Sequence, residues 1–429
     1  MRKSLVPAYA LAGALLGCLQ CQRAATSPGP TPGGVADPTQ LPVASIQAPN
    51  PTAYAALNVP SRAAGYSYND PVTSVKIWKA TSATVPTANT SAGHDYADGG
   101  NRASLGWGTN NNTHTILIRG DGMQYWLVDF TRGVGFSNYR ELPAAAQPDR
   151  DLCFSFSNLA TQPRMAYVIS NDVLKRFNTQ TMQVENTGNF PRTVTNHFAW
   201  LHHDKNDIWF VGVLNGNTTG WAFNSQTNSF LTHNETWSDE IRLERDGRYA
   251  VFTDGGAQVR VWDLSNNTFG TAQNNASFWF AHLASLRSRF VTTDVNATGP
   301  WAQDRYQVTG GQLVKTQILV QSAGTLVHHS GNWIQSDADL GGDLNKQWSF
   351  VSGYENDNTT LWRLAIGIER ADGSEQRLLL HHYSINPPYF GIPWGTPSPD
   401  GKIVIFNSNM NGSGRYDLFV AEMPLLTTP

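Results

Sequence analysis

Histidines recur in this sequence just ahead of short strand-like stretches, and a converging set of them could do two kinds of chemistry. Seven of the 11 histidines in the chain belong to this set. They lie in five separate segments: His94, His197, His282, His328 with His329, and His381 with His382. Neutral imidazoles can bind a divalent metal, and they can also transfer protons near neutral pH. The alternative for each is a loop histidine bonded to backbone carbonyls. No local metal-ligand motif accompanies the set, so both interpretations stay open.

The elements that must position these side chains form a repeat. Apolar strand-like stretches recur about every 40 to 60 residues, beginning at residues 116, 166, 208, 249, 290, 348 and 403. Turn sequences such as Asp246-Gly247 and Asp400-Gly401 separate neighbouring strands. Seven such units predict an all-β, seven-bladed β-propeller. Because an open ring exposes a strand edge, we predict that the β-prone stretch 75–79 closes the last blade as an outer strand.

Propeller topology sorts the histidines by face. The loops before each innermost strand share one face with the loops between second and third strands. This rule places the five histidine segments on one face, where they converge on the centre. It places His202 and His203 in a turn on the opposite face, where we expect solvated side chains. His114 alternates with Ile116 and Ile118 on one strand, and its simplest interpretation is a histidine at a strand end.

The loops between second and third strands add arginines and aromatic residues to the histidine-bearing face. The candidates for contact with a ligand are Arg119, Trp301, Arg305, Tyr306 and Arg415. Aromatic rings suit sugar rings, and planar guanidinium groups suit uronate carboxylates. The alternative is that these Asn- and Gly-rich loops are simply exposed. We therefore predict either a polysaccharide substrate or a glycan or protein ligand that is bound without catalysis.

Several other kinds of chemistry find no support. A net charge of −3 with only 15% charged residues argues against a nucleic-acid partner. No Gly-x-Ser-x-Gly elbow and no phosphate-binding P-loop occurs. The stretch 337–343 has Asp at the first and third positions of a calcium loop, but Gly341 and Trp348 stand at two ligand positions. An acidic surface turn is the better interpretation there.

The first 52 residues are typical of export and anchoring. A short apolar stretch follows Arg2 and Lys3 and ends in Leu-Leu-Gly-Cys18, which resembles a bacterial lipobox. We predict a signal peptide over 1–18 with lipidation of Cys18, a flexible tether over 19–52 and the propeller over 53–429. A plain secretory signal cut near Ala24 is the alternative. We expect an outer-membrane or cell-surface monomer, attached to the membrane only through the lipid, or otherwise a periplasmic or secreted protein.

The segment 69–81, Asn-Asp-Pro-Val-Thr-Ser-Val-Lys-Ile-Trp-Lys-Ala-Thr, resembles the opening of propeller polysaccharide lyases. It is most similar to ulvan lyases and more distantly similar to oligogalacturonate lyases. In those enzymes a similar segment precedes a His-x-Tyr element, which corresponds here to His94-Asp95-Tyr96. Ulvan lyases of this shape use two histidines with the spacing that His94 and His114 share.

The resemblance implies β-elimination at a uronic acid. A cation neutralises the carboxylate, a base removes the C5 proton and an acid protonates the leaving oxygen. In this interpretation His94 is the base or acid, with His197 or His114 as its partner. Arg119, at the end of the strand that carries His114, is the neutralising group. A divalent metal (zinc, manganese or calcium) would be structural or would supply the charge, and its ligands would be His282, His329 and His382. The substrate-binding residues would be Tyr96, Trp301, Arg305, Tyr306 and Arg415. A metal-dependent hydrolase is a further alternative.

Overall fold

The computed structural model of this chain describes residues 34–45, 48–87, 104–119, 124–150, 152–234, 240–253, 258–274, 281–294, 302–320, 327–353, 361–385 and 392–426. Within these ranges the strands form seven antiparallel sheets of four or five strands, and neighbouring strands in a sheet are mostly consecutive in the chain. The predicted seven-bladed β-propeller is confirmed. None of the helices in these ranges is long and apolar enough to span a membrane.

Blades 1 to 4 follow one another along the chain, each beginning with its innermost strand. Blade 1 comprises β3 (Ser104–Leu105), β4 (Thr113–Arg119), β5 (Tyr125–Thr131) and β6 (Gly135–Glu141). Blade 2 comprises β7 (Phe154–Phe156), β8 (Met165–Ser170), β9 (Val173–Asn178), β10 (Gln183–Glu185) and β11 (Arg192–Thr193). Blade 3 comprises β12 (His197–His203), β13 (Trp209–Leu214), β14 (Thr219–Asn224) and β15 (Ser229–Asn234). Blade 4 comprises β16 (Glu240–Leu243), β17 (Tyr249–Thr253), β18 (Gln258–Asp263), β19 (Thr268–Phe269) and β20 (Gln273–Asn274).

Blades 5 and 6 repeat the four-stranded pattern, and blade 7 combines strands from both ends of the chain. Blade 5 comprises β21 (Ala281–Leu286), β22 (Arg289–Asp294), β23 (Ala302–Thr309) and β24 (Gln312–Val320). Blade 6 comprises β25 (Val327–Ser330), β26 (Trp348–Gly353), β27 (Ala365–Arg370) and β28 (Gln376–His381). Blade 7 comprises β29 (Thr396–Pro397), β30 (Ile403–Ser408) and β31 (Asp417–Glu422), followed outward by β2 (Lys76–Lys79) and β1 (Ser67–Asn69).

The ring closes in blade 7 as predicted. Strand β2 pairs antiparallel with β31, with Ile77 opposite Ala421 and Lys79 opposite Phe419. The N-terminal stretch 75–79 therefore lies outside the three C-terminal strands, and β1 adds a fifth strand beyond it. The first and last parts of the propeller are held in one sheet, which removes the open edge that an unclosed ring would expose.

Residues 34–45 lie against the propeller, so the prediction of a flexible tether is wrong for this part. Ala36 forms a β-bridge with Leu425, just beyond β31, and Val43 forms one with Arg377 in β28. The backbone N–H of residue 44 donates to the Gln376 carbonyl at 2.9 Å. This segment, which we call the edge strap, runs from the residues that follow β31 in blade 7 to β28, the outermost strand of blade 6. The predicted signal peptide and the lipidation site at residue 18 lie outside the described residues.

Short helices lie ahead of the first strand and between some of the later strands. Helix α1 (Pro51–Leu57) buries Tyr54 against Tyr383, with ring centroids 3.9 Å apart. Helix α2 (Asp337–Leu340) lies between the first two strands of blade 6. The short 3-10 helices are Pro38–Gln40, Val59–Ser61, Ala144–Ala146 and Leu344–Lys346. The ordered domain therefore begins before the predicted boundary at residue 53.

The second strand of each blade is buried on both sides because the blades pack face to face. In β4, Ile116 and Ile118 pack with Ile405 and Val420 of blade 7. Leu117, between them, faces the opposite way and joins a cluster with Phe154 of blade 2. A strand that is covered on both faces has apolar residues at consecutive positions, which explains the short apolar runs that made the repeat visible in the sequence.

The two faces of the propeller differ in their connections. We call the face where the second strands end the upper face, and the face of the turns between first and second strands the lower face. On the lower face, Lys205 of blade 3 pairs with Asp246 of blade 4 at 2.6 Å. Arg287 of blade 5 contacts Asp246 at 3.3 Å and Asp337 of blade 6 at 2.7 Å. A chain of ion pairs thus joins four consecutive blades.

A buried carboxyl group in one lower-face turn makes stability depend on pH. Glu244 is 3% exposed, and burial, with Asp246 adding to it, raises the pKa of Glu244 to about 7 from 4.5. The backbone N–H groups of Tyr249 and Arg248 donate to Glu244 and oppose the shift. A carboxyl group whose pKa is higher in the folded state binds more protons when folded. Its contribution is therefore complete below pH 4.5 and is lost as the pH rises toward 7.

We expect Glu244→Gln to remove this loss, because the amide oxygen can still accept the two backbone N–H groups. The variant should gain stability over the wild type progressively from pH 4.5 to 7, by about 3 kcal/mol at the upper end. Urea unfolding at a series of pH values measures the difference. Asp204→Asn is the matched control, because burial raises the pKa of Asp204 to about 6 from 3.8, so its gain should develop at lower pH. Parallel pH profiles for Glu244→Gln and the wild type would contradict the prediction.

Candidate functional site

Three predicted site residues lie at the upper face. Arg119 is the last residue of β4, opposite Tyr125 at the start of β5, and is partly exposed. His197 is the first residue of β12, and Arg415 precedes β31. Four other candidates that were assigned to this face lie outside the described residues: His94, Tyr96, Trp301 and the side chain of His282. The described part of the candidate site therefore consists of arginines and one histidine.

His197 is held by contacts inside the protein. Its ring Nε2 lies 3.2 Å from the Cys153 thiol of blade 2, which is buried as its apolar surroundings in the sequence indicate. Burial lowers the pKa of His197 to about 3, against the opposing charge of Asp172 and with that of Arg150. The imidazole is therefore neutral near pH 7, and it is only 7% exposed. Such a buried ring is a weak base, so its catalytic role stays a prediction.

Arg415 belongs to a charge cluster in the outer part of blade 7. Its guanidinium group contacts the Asp417 carboxylate, with Nε 3.3 Å from Oδ2. The same carboxylate pairs with Lys79 at 3.2 Å and accepts from the Thr81 hydroxyl at 2.9 Å. Burial lowers the pKa of Lys79, although Asp417 opposes this shift. The Arg415 side chain is 24% exposed, so part of its fork is accessible from the upper face.

Both ring nitrogens of His382 are bonded within the protein. Nε2–H donates to the Gly353 carbonyl at 2.9 Å, and Nδ1 accepts from the Ser384 N–H at 3.0 Å. Burial lowers the pKa of His382 to about 3, and the Gly353 carbonyl opposes this shift. No nitrogen lone pair is left to bind a metal. The prediction that His382 is a metal ligand is therefore wrong, and the alternative of a loop histidine bonded to backbone is what the structure shows.

His329 faces a buried carboxyl group rather than the upper face. It lies within β25, which ends at Ser330, so it belongs to the innermost strand of blade 6 and not to the loop ahead of that strand. Its Nδ1 is 3.5 Å from Oε1 of Glu369. Burial, with Asp304 adding to it, raises the pKa of Glu369 well above its usual range. Gln303 of blade 5 also donates to Glu369, at 3.2 Å. Its side-chain amide is oriented so that the nitrogen faces Glu369 and the oxygen accepts from Trp362 Nε1.

The described residues do not fit a metal centre. Among them, no three His, Cys, Asp or Glu side chains are arranged to hold an ion. In the stretch considered for calcium, Asp337 pairs with Arg287 at 2.7 Å. Asp339 forms a capping box with Ser336 at the start of α2. The stretch is an acidic turn engaged with its own surroundings, which was the interpretation that the sequence favoured. No reaction step is assigned to a metal.

His114 lies on the lower face. It is the second residue of β4, and its Nε2 is 3.0 Å from Oδ2 of Asp400 in a turn of blade 7. Burial alone would raise the pKa of Asp400, but His114 and the hydroxyl of Ser398 hold it well below its usual range. Arg119 lies five residues further along this extended strand, about 16 Å away. The prediction that His114 and Arg119 share one site is wrong, because they occupy opposite ends of β4.

Arg305 and Tyr306 lie in a strand and not in a ligand-binding loop. Strand β23 begins at Ala302, so both residues are already paired within blade 5. Arg305 is 8% exposed and donates to the Asn345 side chain at 2.9 Å and to the Ala371 carbonyl at 2.7 Å. Tyr306 is 2% exposed and belongs to the apolar core. Their predicted role as substrate contacts is wrong.

Two histidines that were expected to be solvated are buried instead. His202 and His203 end β12, and each is 1% exposed. Arg242 of blade 4 lies 2.9 Å from Nε2 of His202 and pairs with Glu240 at 3.0 Å. His203 contacts Ser155 of blade 2. No local motif marks these contacts, because they join innermost strands of different blades.

Solved structures show which propellers this chain resembles. An oligogalacturonate lyase in complex with manganese matches 85% of this chain and 99% of its own, with a TM-score of 0.59 and 11% identity. An oligogalacturonate lyase from Vibrio parahaemolyticus matches 84% of this chain and 96% of its own, with a TM-score of 0.57 and 11% identity. No protein-family model and no curated protein matches the sequence. The chain is thus a seven-bladed propeller with the fold of these lyases. The resemblance to oligogalacturonate lyase-type propellers is confirmed at the level of fold.

Proposed function

We propose that this protein is an exported polysaccharide lyase that cleaves a uronic-acid-containing polysaccharide by β-elimination at its upper face. The main support is the extent of the fold match, which covers 99% of an oligogalacturonate lyase with a TM-score of 0.59. Arg119 adds a second argument, because it brings a partly exposed positive charge to the upper face at the end of β4.

In this proposal Arg119 binds the uronate carboxylate with its planar fork. Neutralising that charge acidifies the C5 proton, which a base removes while the bond to the leaving oxygen breaks and an acid protonates that oxygen. We assign the base or acid to His94, which lies outside the described residues. His197 is the second proton-transfer candidate on this face, and its burial makes it the weaker one.

A glycan-binding propeller without catalysis is the second candidate. The observation that favours it is the state of the predicted histidines whose side chains the structure describes: His114, His197, His329 and His382 all make buried contacts within the protein. The partly exposed Arg415 suits a carboxylate-bearing ligand in either case.

A panel of uronic polysaccharides separates the two candidates. We expect the wild type to produce the ultraviolet absorbance of an unsaturated uronate, and Arg119→Ala to lower kcat/KM at least ~100-fold, as loss of one charge-stabilising donor does. Arg119→Lys should recover only part of this, because an ammonium group cannot bind a carboxylate in two places. Arg248→Ala, which removes an exposed arginine of the lower face, is the matched control. Binding without unsaturated product, unchanged by His94→Ala, would contradict the lyase and favour the binding protein.

We further propose that the lipid on Cys18 anchors the domain to a membrane. The edge strap begins beside the C-terminal end of blade 7, near Leu425, so a short segment would connect the lipid to the propeller. Cys18→Ser should release the protein from the membrane fraction, and mass spectrometry of the N-terminal peptide should find the acyl chains. A wild-type N-terminus near Ala25 without lipid would support plain secretion instead.

A further inference from the structure

Three side chains between blades 2 and 3 form a relay that the proposed lyase does not use. The Ser155 hydroxyl in β7 lies 3.0 Å from Nε2 of His203 in β12. Nδ1 of His203 lies 2.8 Å from Oδ1 of Asp207. All three residues are shielded, with exposures of 6%, 1% and 6%. Hydroxyl, imidazole and carboxylate stand in the order that activates a serine nucleophile.

The carboxylate of the relay is held in place by three hydrogen-bond donors. Asp207 accepts hydrogen bonds from the Ser157 hydroxyl and from the Asn158 backbone N–H, the latter at 3.0 Å. The Tyr167 hydroxyl donates to it at 3.1 Å. These donors fix the position of the carboxylate, and a fixed Asp207 can in turn orient the imidazole.

The hydrogen-bond partners also place the proton of a neutral His203 on Nδ1. The Asn158 amide nitrogen lies 3.1 Å from Nδ1, but it also donates to the carbonyls of His203 and Asp204 at 3.2 and 3.0 Å, which uses both of its protons. Nδ1–H is therefore free to donate to Asp207. Nε2 is left with its lone pair toward Ser155, which is the tautomer that a general base requires.

Packing holds the imidazole in this position. The His203 ring stacks on Phe210, with centroids 5.2 Å apart and planes at 27°. The Tyr167 ring meets it edge-on at 5.3 Å. A base fixed by rings on two sides and by a carboxylate needs little reorganisation before proton transfer.

Ser155 and His203 lie on the innermost strands β7 and β12, and Asp207 lies in the turn that follows β12. The Ile169 N–H donates to the Cys153 carbonyl, and the Ser157 N–H donates to the Met165 carbonyl. Alternation along an antiparallel strand then directs the Phe156 N–H away from β8 and toward the axis. That N–H follows the serine directly and could stabilise the negative oxygen of a reacting carbonyl beside it.

We propose that Ser155, His203 and Asp207 form an acyl-transfer site that hydrolyses small acyl esters, such as O-acetyl groups. Ser155 Oγ bonds to the ester carbonyl carbon while its proton moves to Nε2 of His203. The bond from that carbon to the alcohol oxygen breaks, and the alcohol leaves with this proton. Water then gives a proton to Nε2 of His203 and attacks the acyl carbon. The bond from that carbon to Ser155 Oγ breaks, the carboxylic acid leaves, and His203 returns the proton to Oγ. The site is independent of the proposed lyase reaction.

A fluorophosphonate probe on the full chain tests the proposal, because it labels only activated serines. We expect stoichiometric labelling that mass spectrometry locates on Ser155, and a burst of about one equivalent of nitrophenol from p-nitrophenyl acetate. Ser155→Ala should abolish both signals. Ser229→Ala is the matched control, since its hydroxyl lies in β15, the outermost strand of blade 3, and contacts Thr227, and this variant should remain labelled. Circular dichroism confirms that each variant is folded. Folded wild-type protein that is not labelled at Ser155, or a burst that persists in Ser155→Ala, would overturn the proposal.

Discussion

Replacing Asp417 with alanine is expected to lower the free energy of unfolding by about 3–5 kcal/mol, the cost of breaking a buried ion pair from one side. Asp417 is fully buried, and its partner Lys79 is 1% exposed. The Lys79 ammonium group also donates to the carbonyls of Val59 at 3.1 Å and Arg62 at 2.7 Å, but these carry no compensating charge. Lys79 ends β2, the strand that closes the ring by pairing with β31. The loss of stability is therefore expected where blade 7 is closed.

Urea unfolding of four variants isolates this effect. Lys79→Met in the Asp417→Ala background should recover part of the stability, because it removes the uncompensated charge. Asp417→Asn should lie between the wild type and Asp417→Ala. Asp337→Ala is the control, since Asp337 is 70% exposed in its pair with Arg287, and it should cost no more than about 1 kcal/mol. Equal losses for Asp417→Ala and Asp337→Ala would contradict the prediction.

The fold was predictable because its signal is local and repeated. Each second strand is covered by neighbouring blades on both faces, so it appears as a short apolar run such as 403–406, and seven runs can be counted directly. Ring closure follows from a general requirement, since a propeller must pair its last edge with something. The stretch 75–79 was the β-prone segment available before the first unit.

The candidate site was less predictable because it depends on strand boundaries. Strand β23 begins at Ala302, so Arg305 and Tyr306 are buried in a blade when a start a few residues later would have exposed them. His329 likewise lies inside β25 and not ahead of it. The sequence shows where a histidine stands but not whether its two ring nitrogens already have hydrogen-bond partners. Only the fold shows that both ring nitrogens of His382 are bonded within the protein.

Contacts between blades are a second source of error, because they leave no local pattern. Ser155 and His203 are brought within 3.0 Å by the packing of two innermost strands, and the absence of a Gly-x-Ser-x-Gly elbow says nothing about a serine on a strand. His114 shows the opposite case, since it shares a strand with Arg119 while the fold pairs it with Asp400 of blade 7 on the lower face. Such contacts depend on how the blades pack, and spacing along the chain does not reveal them.

Gly367→Ala is expected to destabilise the propeller by about 3 kcal/mol, at the upper end of the usual cost of overpacking a core. A Cβ atom at Gly367 in β27 would lie 1.8 Å from Cζ3 and 2.6 Å from Cη2 of Trp362. The Trp362 ring is 1% exposed, and its Nε1 donates to Gln303 at 3.1 Å in the amide orientation that satisfies both groups. Moving the indole away would break that bond and disturb Gln303, which in turn donates to the buried Glu369.

A double-mutant cycle with Trp362→Leu tests this mechanism. Trp362→Leu alone should cost several kcal/mol, because it leaves a cavity and removes the indole partner of Gln303. In that background Gly367→Ala should be nearly neutral, since the atoms that it would clash with are gone. The two losses would then be far from additive, as expected of side chains in direct contact. Additive losses in urea unfolding would show that the alanine acts through the β27 backbone and not through Trp362.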